Sequence, residues 1–210
     1  MPGPRTRLGI MGGTFDPIHN GHLWYANEVA RRLRLDEVLF VPAGQPWQKD
    51  LRGVSVARHR YAMTAIATAS NPLFSVSRIE VDRSGPTYTV DTLRKVREMS
   101  GPDLDLFFIL GADCLAQILT WRDAHSLFAL AHFIGCSRLG YELSAASLPE
   151  GRVSLLEVSD PGISSTAIRR RVGCGAPIAH LVPDGVSGYI ARHDLYRTVG
   201  TRRRLSQGAK

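Results

Sequence analysis

Short apolar runs alternate with helix-period segments along almost the whole chain, and few folds accommodate that alternation. Arg7–Gly13 (RLGIMGG), Val38–Pro42 (VLFVP), Phe74–Val81, Leu104–Leu110 (LDLFFIL), Phe133–Ser137 and Val153–Val158 read as strands. Between them, His22–Leu35 carries Leu23, Ala26, Val29, Ala30 and Leu33 at helical spacing. Arg58–Ser70 sets Tyr61, Ala62, Ala65, Ile66 and Ala69 on one helical face. Thr89–Met99, a segment running from Gly111 through Leu119, Ser165–Val172 and Val186–His193 complete the expected helices. Strand–helix alternation predicts a parallel sheet with right-handed crossovers, a doubly wound α/β fold with a small C-terminal helical part. Ligands of such sheets bind beyond the carboxyl ends of the strands, where strand order reverses. The loops to watch are therefore Gly12–His22, Pro42–Lys49, Gly111–Trp121 and Asp160–Arg169.

A length of 210 residues suits one domain spanning 1–210, with residues 6–200 as its core. Residues 139–151, rich in Ser, Ala and Gly, read as a surface loop. The formal charge of +7 invites a nucleic-acid reading, but Arg202, Arg203, Arg204 and Lys210 crowd into a tail at 201–210 that reads as a solvated, flexible terminus. The remaining excess fits a pocket for polyanionic nucleotides as well as a DNA surface, so charge alone does not decide; that no nucleic acid is expected as a partner rests on the motifs below. Cys114, Cys136 and Cys174 are too few and too scattered for a disulfide framework or a zinc site. They suit a reducing cytoplasm, and no apolar run is long enough to cross a membrane.

The first loop, GGTFDPIHNGH from Gly12 to His22, holds the densest chemistry. Gly12 and Gly13 let backbone approach a ligand, Pro17 stiffens the turn, and Asp16 has the side chain to tie it. His19 and His22 stand three apart at the mouth of the following helix, where N–H groups and the dipole favour an anion. Two imidazole donors there suit phosphate oxygens. HxGH lacks the spacing and glutamate of a zinc protease, and neither GxxxxGK[ST] nor GxGxxG occurs. No metal site built by the protein is expected.

GGTFDPIHNGH resembles the signature of the HxGH nucleotidyltransferases, whose fold is Rossmann-like. The later GISSTAIR, Gly162–Arg169, resembles their second signature, ISSTxIR. The resemblance implies that both regions converge on the phosphates of ATP, giving Gly12, Gly13, Thr14, His19, His22, Ser164, Ser165, Thr166 and Arg169 roles there. Read alone, Ser164–Thr166 supplies hydroxyls and a cap at a helix start, with Arg169 one turn inside.

Three more segments resemble the bacterial nicotinate-nucleotide adenylyltransferases. SGPTYTVDTL, Ser84–Leu93, is similar to their acceptor segment, implying that Thr87, Tyr88 and Thr89 bind the mononucleotide and that Tyr88 stacks on its pyridine ring. GADCLAQILTWRD, Gly111–Asp123, implies that Gly111 and Asp113 reach the nucleotide and that Trp121 forms the other face of an aromatic sandwich. VPAGQPWQK, Val41–Lys49, stands where the family has a phosphate loop, but Trp47-Gln48 replaces a Pro-His found in many members; Lys49 keeps the cation. Arg122 is a second departure.

The resemblance implies adenylyl transfer from ATP, with Mg²⁺ carried on the triphosphate, to nicotinate mononucleotide. His19, His22, Lys49 and Arg169 would be its catalytic residues. Nicotinamide mononucleotide and phosphopantetheine remain alternative acceptors, as do a non-catalytic nucleotide sensor and a nucleic-acid binder outside the enzyme class; homo-oligomerisation is open. Removing residues 201–210 should leave enzymatic turnover essentially unchanged. A loss of salt-dependent nucleic-acid affinity on that deletion would instead support the binding-protein reading.

Overall fold

Leu8, Ile10 and Met11 are buried along β1 (Thr6–Gly13), and alternate residues find apolar cover on opposite faces of the strand. A strand covered on both sides belongs in the middle of a parallel sheet. In the computed structural model, which describes residues 5–47, 53–137, 148–159 and 161–197, β1 occupies that place. β2 (Glu37–Pro42) and β3 (Phe74–Val76) extend the sheet on one side; β4 (Leu104–Gly111), β5 (His132–Ser137) and β6 (Val153–Glu157) extend it on the other. The order is β3-β2-β1-β4-β5-β6, all parallel, with Met11 opposite Phe40 of β2 and Ile109 of β4. Strand order reverses between β1 and β4, which opens a crevice at their carboxyl ends.

The period of two divides the core. Leu8 and Ile10 of β1, with Leu106, Phe108 and Leu110 of β4, pack against α3 (Thr89–Ser100), the short α4 (Ala112–Leu115) and α5 (Ala124–Leu130). Met11 and Ile109 pack toward the other layer: α1 (Asn20–Leu33), α2 (Ala57–Thr68), α6 (Ser165–Gly173) and α7 (Asp184–Arg192). Ile10, Ile109 and Phe133 are fully buried, each worth about 1.5–3 kcal/mol of transfer free energy. The expected doubly wound fold and its C-terminal helices are therefore present.

Three local expectations need correction. The strand expected over Phe74–Val81 stops at Val76, because the Ser77 hydroxyl accepts from the Ile79 N–H and turns the chain. In α2 the buried face is Arg60, Met63, Thr64, Ala67 and Thr68, while Ile66 is exposed. The alanine stripe misled there because small residues pack on either face, and an internally bonded arginine can lie inside. The third is the helix expected from Gly111 through Leu119, which stops at Leu115 and gives way to a single 3-10 turn at Ile118–Thr120; α5, too short to display a period, follows it.

One close contact joins the loop after β2 to the segment before α3. A Cβ at Gly44, just after β2, would fall on the carbonyl oxygen of Glu80. Glu80 is itself buried and accepts from the Thr92 hydroxyl at 2.6 Å. We expect Gly44→Ala to cost about 1–3 kcal/mol by forcing these segments apart. Urea unfolding measures it, and an unchanged midpoint would show that the contact yields freely.

Candidate active site

The loop leaving β1 is fixed from several directions. Phe15 takes a left-handed conformation (φ 49) and is buried, and the Asp16–Pro17 peptide is cis. The Asp16 carboxylate accepts from the Tyr196 hydroxyl at 2.7 Å and from the Ser55 N–H at 3.1 Å. Arg60 reaches in from α2 and is 1% exposed. Its guanidinium donates to the carbonyls of Thr14, Gly44 and Ser55, each at 2.8 Å. Those carbonyls belong to three different segments at the carboxyl edge of the sheet.

His19 is the N-cap of α1 in extended conformation, and His22 lies in the first turn. Their rings stack with centroids 3.7 Å apart and planes 26° from parallel. His22 Nδ1 accepts from the His19 backbone N–H at 3.2 Å, so a neutral His22 carries its proton on Nε2. The edge of Phe15 supports the His22 ring at 5.1 Å. His19 is 6% exposed, and among the described residues its Nδ1 has no hydrogen-bond partner. Burial pushes its pKa down to about 4, so near pH 7 it is neutral. The stack thus presents two imidazoles, of which buried His19 is neutral, at a helix N-terminus that favours anions.

The second signature folds onto the first. Ser164 caps α6 by accepting from the Ala167 N–H, and the Ser165 hydroxyl donates to the Pro17 carbonyl at 2.9 Å. Arg169 donates to the Asp16 carbonyl at 2.8 Å and to the Thr166 hydroxyl at 3.3 Å. Gly12, Gly13, Thr14, His19, His22, Ser164, Ser165, Thr166 and Arg169 are thereby drawn into one wall. Lys49 lies outside the described residues.

The facing wall starts at Thr87, whose N–H and hydroxyl both donate to the Gln45 carbonyl. Tyr88 is the N-cap of α3, and Thr89 is the first residue of that helix. The Tyr88 ring has Trp47 at 6.1 Å and the Arg122 guanidinium over it at 4.5 Å. Trp121 sets its ring edge-on to Phe108 at 6.3 Å, with its Nε1 buried and without a partner among the described residues. The Tyr88 face is thus occupied by Arg122, while Trp121 is turned to Phe108. A Cβ at Gly12 would come within 2.9 Å of the Phe108 ring, so the two walls meet there. Gly111 ends β4, and exposed Asp113 sits in the first turn of α4 at the same carboxyl edge.

Sequence reasoning missed Arg60, Ser55 and Tyr196, whose only signal was an arginine on a helix facing the sheet. A cavity of about 520 Å³ beside Arg94, Arg97 and Pro102 opens near the start of β4, away from this edge. Cys136 is buried and its thiol is pushed up to about 12, which makes it a packing residue. None of the described helices is long and apolar enough to cross a membrane.

A family model described as cytidylyltransferase-like matches residues 10–171, a span holding both signatures. A Streptomyces coelicolor protein named "Probable nicotinate-nucleotide adenylyltransferase" is 64% identical over 187 residues, covering 89% of this chain and 99% of that protein. The chain belongs to the nicotinate-nucleotide adenylyltransferase family. A Leifsonia xyli member with the same name is 60% identical over 195 residues, covering 93% of this chain and 96% of that protein. The fold also matches Plasmodium falciparum nicotinic acid mononucleotide adenylyltransferase complexed with NaAD, at a TM-score of 0.77 and 22% identity, covering 91% and 97% of the two chains.

His19 makes the loop after β1 acid-sensitive. Its folded pKa of about 4 lies below the ordinary histidine value of about 6.5, so the unfolded chain takes up a proton that the folded chain refuses. Its stability contribution is complete above about pH 6.5 and is lost as pH falls toward 4, on the order of 3 kcal/mol. Wild type should lose that much more than His19→Asn across this window in denaturant titrations. Parallel profiles would contradict the assignment.

Proposed function

We propose that the chain transfers the adenylyl group of ATP to nicotinate mononucleotide, forming deamido-NAD (nicotinate adenine dinucleotide) and pyrophosphate. The observation that carries this is the stacked His19–His22 pair at the start of α1, tied through Asp16 and Pro17 to the first turn of α6. Two helix N-termini, two imidazoles and one guanidinium converge where a triphosphate would bend.

The acceptor's 5′-phosphate oxygen attacks the α-phosphorus in line. A new P–O bond forms as the bond from the α-phosphorus to the bridging oxygen breaks, and the electron pair leaves with pyrophosphate. A phosphate dianion is already a nucleophile, so the protein supplies positioning and charge neutralisation. MgATP is the substrate, with Mg²⁺ arriving on the triphosphate and keeping several waters.

In this reading His19 and His22 donate to oxygens around the transferring phosphorus. Lys49 and Arg169 face the growing negative charge, and Thr14, Ser164, Ser165 and Thr166 orient the phosphates. Backbone at Gly12 and Gly13 lies against the nucleotide, with Gly111 and Asp113 beside it and Asp113 at the ribose hydroxyls. Thr87, Tyr88, Thr89 and Trp121 hold the acceptor, whose pyridinium stacks on the aromatic rings.

Pyrophosphate release with MgATP should be fast with nicotinate mononucleotide and slow with nicotinamide mononucleotide or phosphopantetheine. Release only with another acceptor would keep the chemistry and discard the acceptor wall as read; none at all would leave a nucleotide sensor. His22→Ala should lower kcat by about 10²–10³-fold while the fold survives. Near-normal turnover would remove His22 from the mechanism.

A further inference from the structure

Arg122 is an exposed cation with no acid of its own among the described residues. The adjacent carboxylate, Asp123, is already committed: one oxygen accepts from Arg94 at 2.6 Å and the other from the Ser126 hydroxyl at 2.8 Å. What holds the Arg122 guanidinium is the face of Tyr88, 4.5 Å away. A planar, delocalised cation therefore rests on the ring that, in the reading above, receives another planar cation, the acceptor's pyridinium. Exposed contacts of this kind are weak, so one flat cation can replace the other at little cost. Once displaced, the guanidinium remains anchored beside the pocket by Trp121, the residue before it, whose ring is set on Phe108.

We propose that Arg122 is a specificity-determining residue, which yields the Tyr88 face to the pyridinium and then pairs through its forked donors with the carboxylate on that ring. This inference rests on the proposed reaction and deepens it. The guanidinium's geometry matches a carboxylate, whereas the carboxamide of the nicotinamide nucleotide offers one oxygen, no charge and an NH₂ group that a cation repels. Arg122 thus selects acid over amide, while the rest of the site handles the phosphates common to both.

The test compares kcat/KM for nicotinate and nicotinamide mononucleotides in the full chain and in Arg122→Ala, Arg122→Gln and Arg122→Lys, each checked by thermal melting. The acid-to-amide ratio should fall by about 10–100-fold in the Ala and Gln variants, carried by KM for the acid, and by less in the Lys variant. Wild type that prefers the acid while Arg122→Ala and Arg122→Gln keep that ratio would overturn this inference alone. Wild type that does not adenylylate nicotinate mononucleotide would overturn the reaction and this inference together.

Discussion

The guanidinium of Arg60 fastens three loops that the sheet by itself would leave to find their own positions. Thr14 follows β1, Gly44 follows β2, and Ser55 precedes α2; each gives its carbonyl to the same buried group. Burying a charge costs several kcal/mol unless its donors are used, and here the bonds to peptide oxygens offset that cost. Desolvation lowers the Arg60 pKa, while the negative charge of Asp16 works the other way. The backbone bordering the crevice is therefore set before any nucleotide arrives, which removes reorganisation from the reaction.

In the proposed reaction the two walls divide the work by chemistry. On the phosphate side the donors are two stacked imidazoles, a guanidinium and helix ends, and buried His19 is neutral, so negative charge is met without packing like charges together. Protonating both rings at 3.7 Å would set two cations face to face, and burial of His19 prevents it. On the proposed acceptor side the surfaces are flat: Tyr88, Trp121 and Trp47, with the Arg122 guanidinium over Tyr88. Phe108 joins the sides, because it packs on Trp121 and occupies the space left by the missing side chain of Gly12.

Much of this was legible in the residues, because periodicity is a local property. The runs at Arg7–Gly13 and Leu104–Leu110 became β1 and β4 to within a residue, and the Gly12–His22 loop lay where parallel sheets bind ligands. Asp16 was expected to tie its loop, and it does so. What stayed hidden depends on partners far apart in sequence. Arg60 looked like one cation among many until three carbonyls surrounded it, and Tyr196 meets Asp16 across 180 residues. The buried face of α2 was misread because alanine carries little directional information. The Trp121 ring turned out to rest on Phe108, a contact made by packing across the core and invisible in local pattern.

Tyr196, Ser165 and Arg169 all reach back to Asp16 or Pro17, bridging 148 to 180 residues. The loop after β1 is thus stitched by residues far downstream of it. A chain folded only through β5 would hold most of its central sheet and both histidines, yet lack these three bonds. Arg60 and Ser55 grip the same loop from nearby in the sequence, and Ser165, Arg169 and Tyr196 close it from the far side, so the segment with both histidines is fully seated only when distant elements have packed against it.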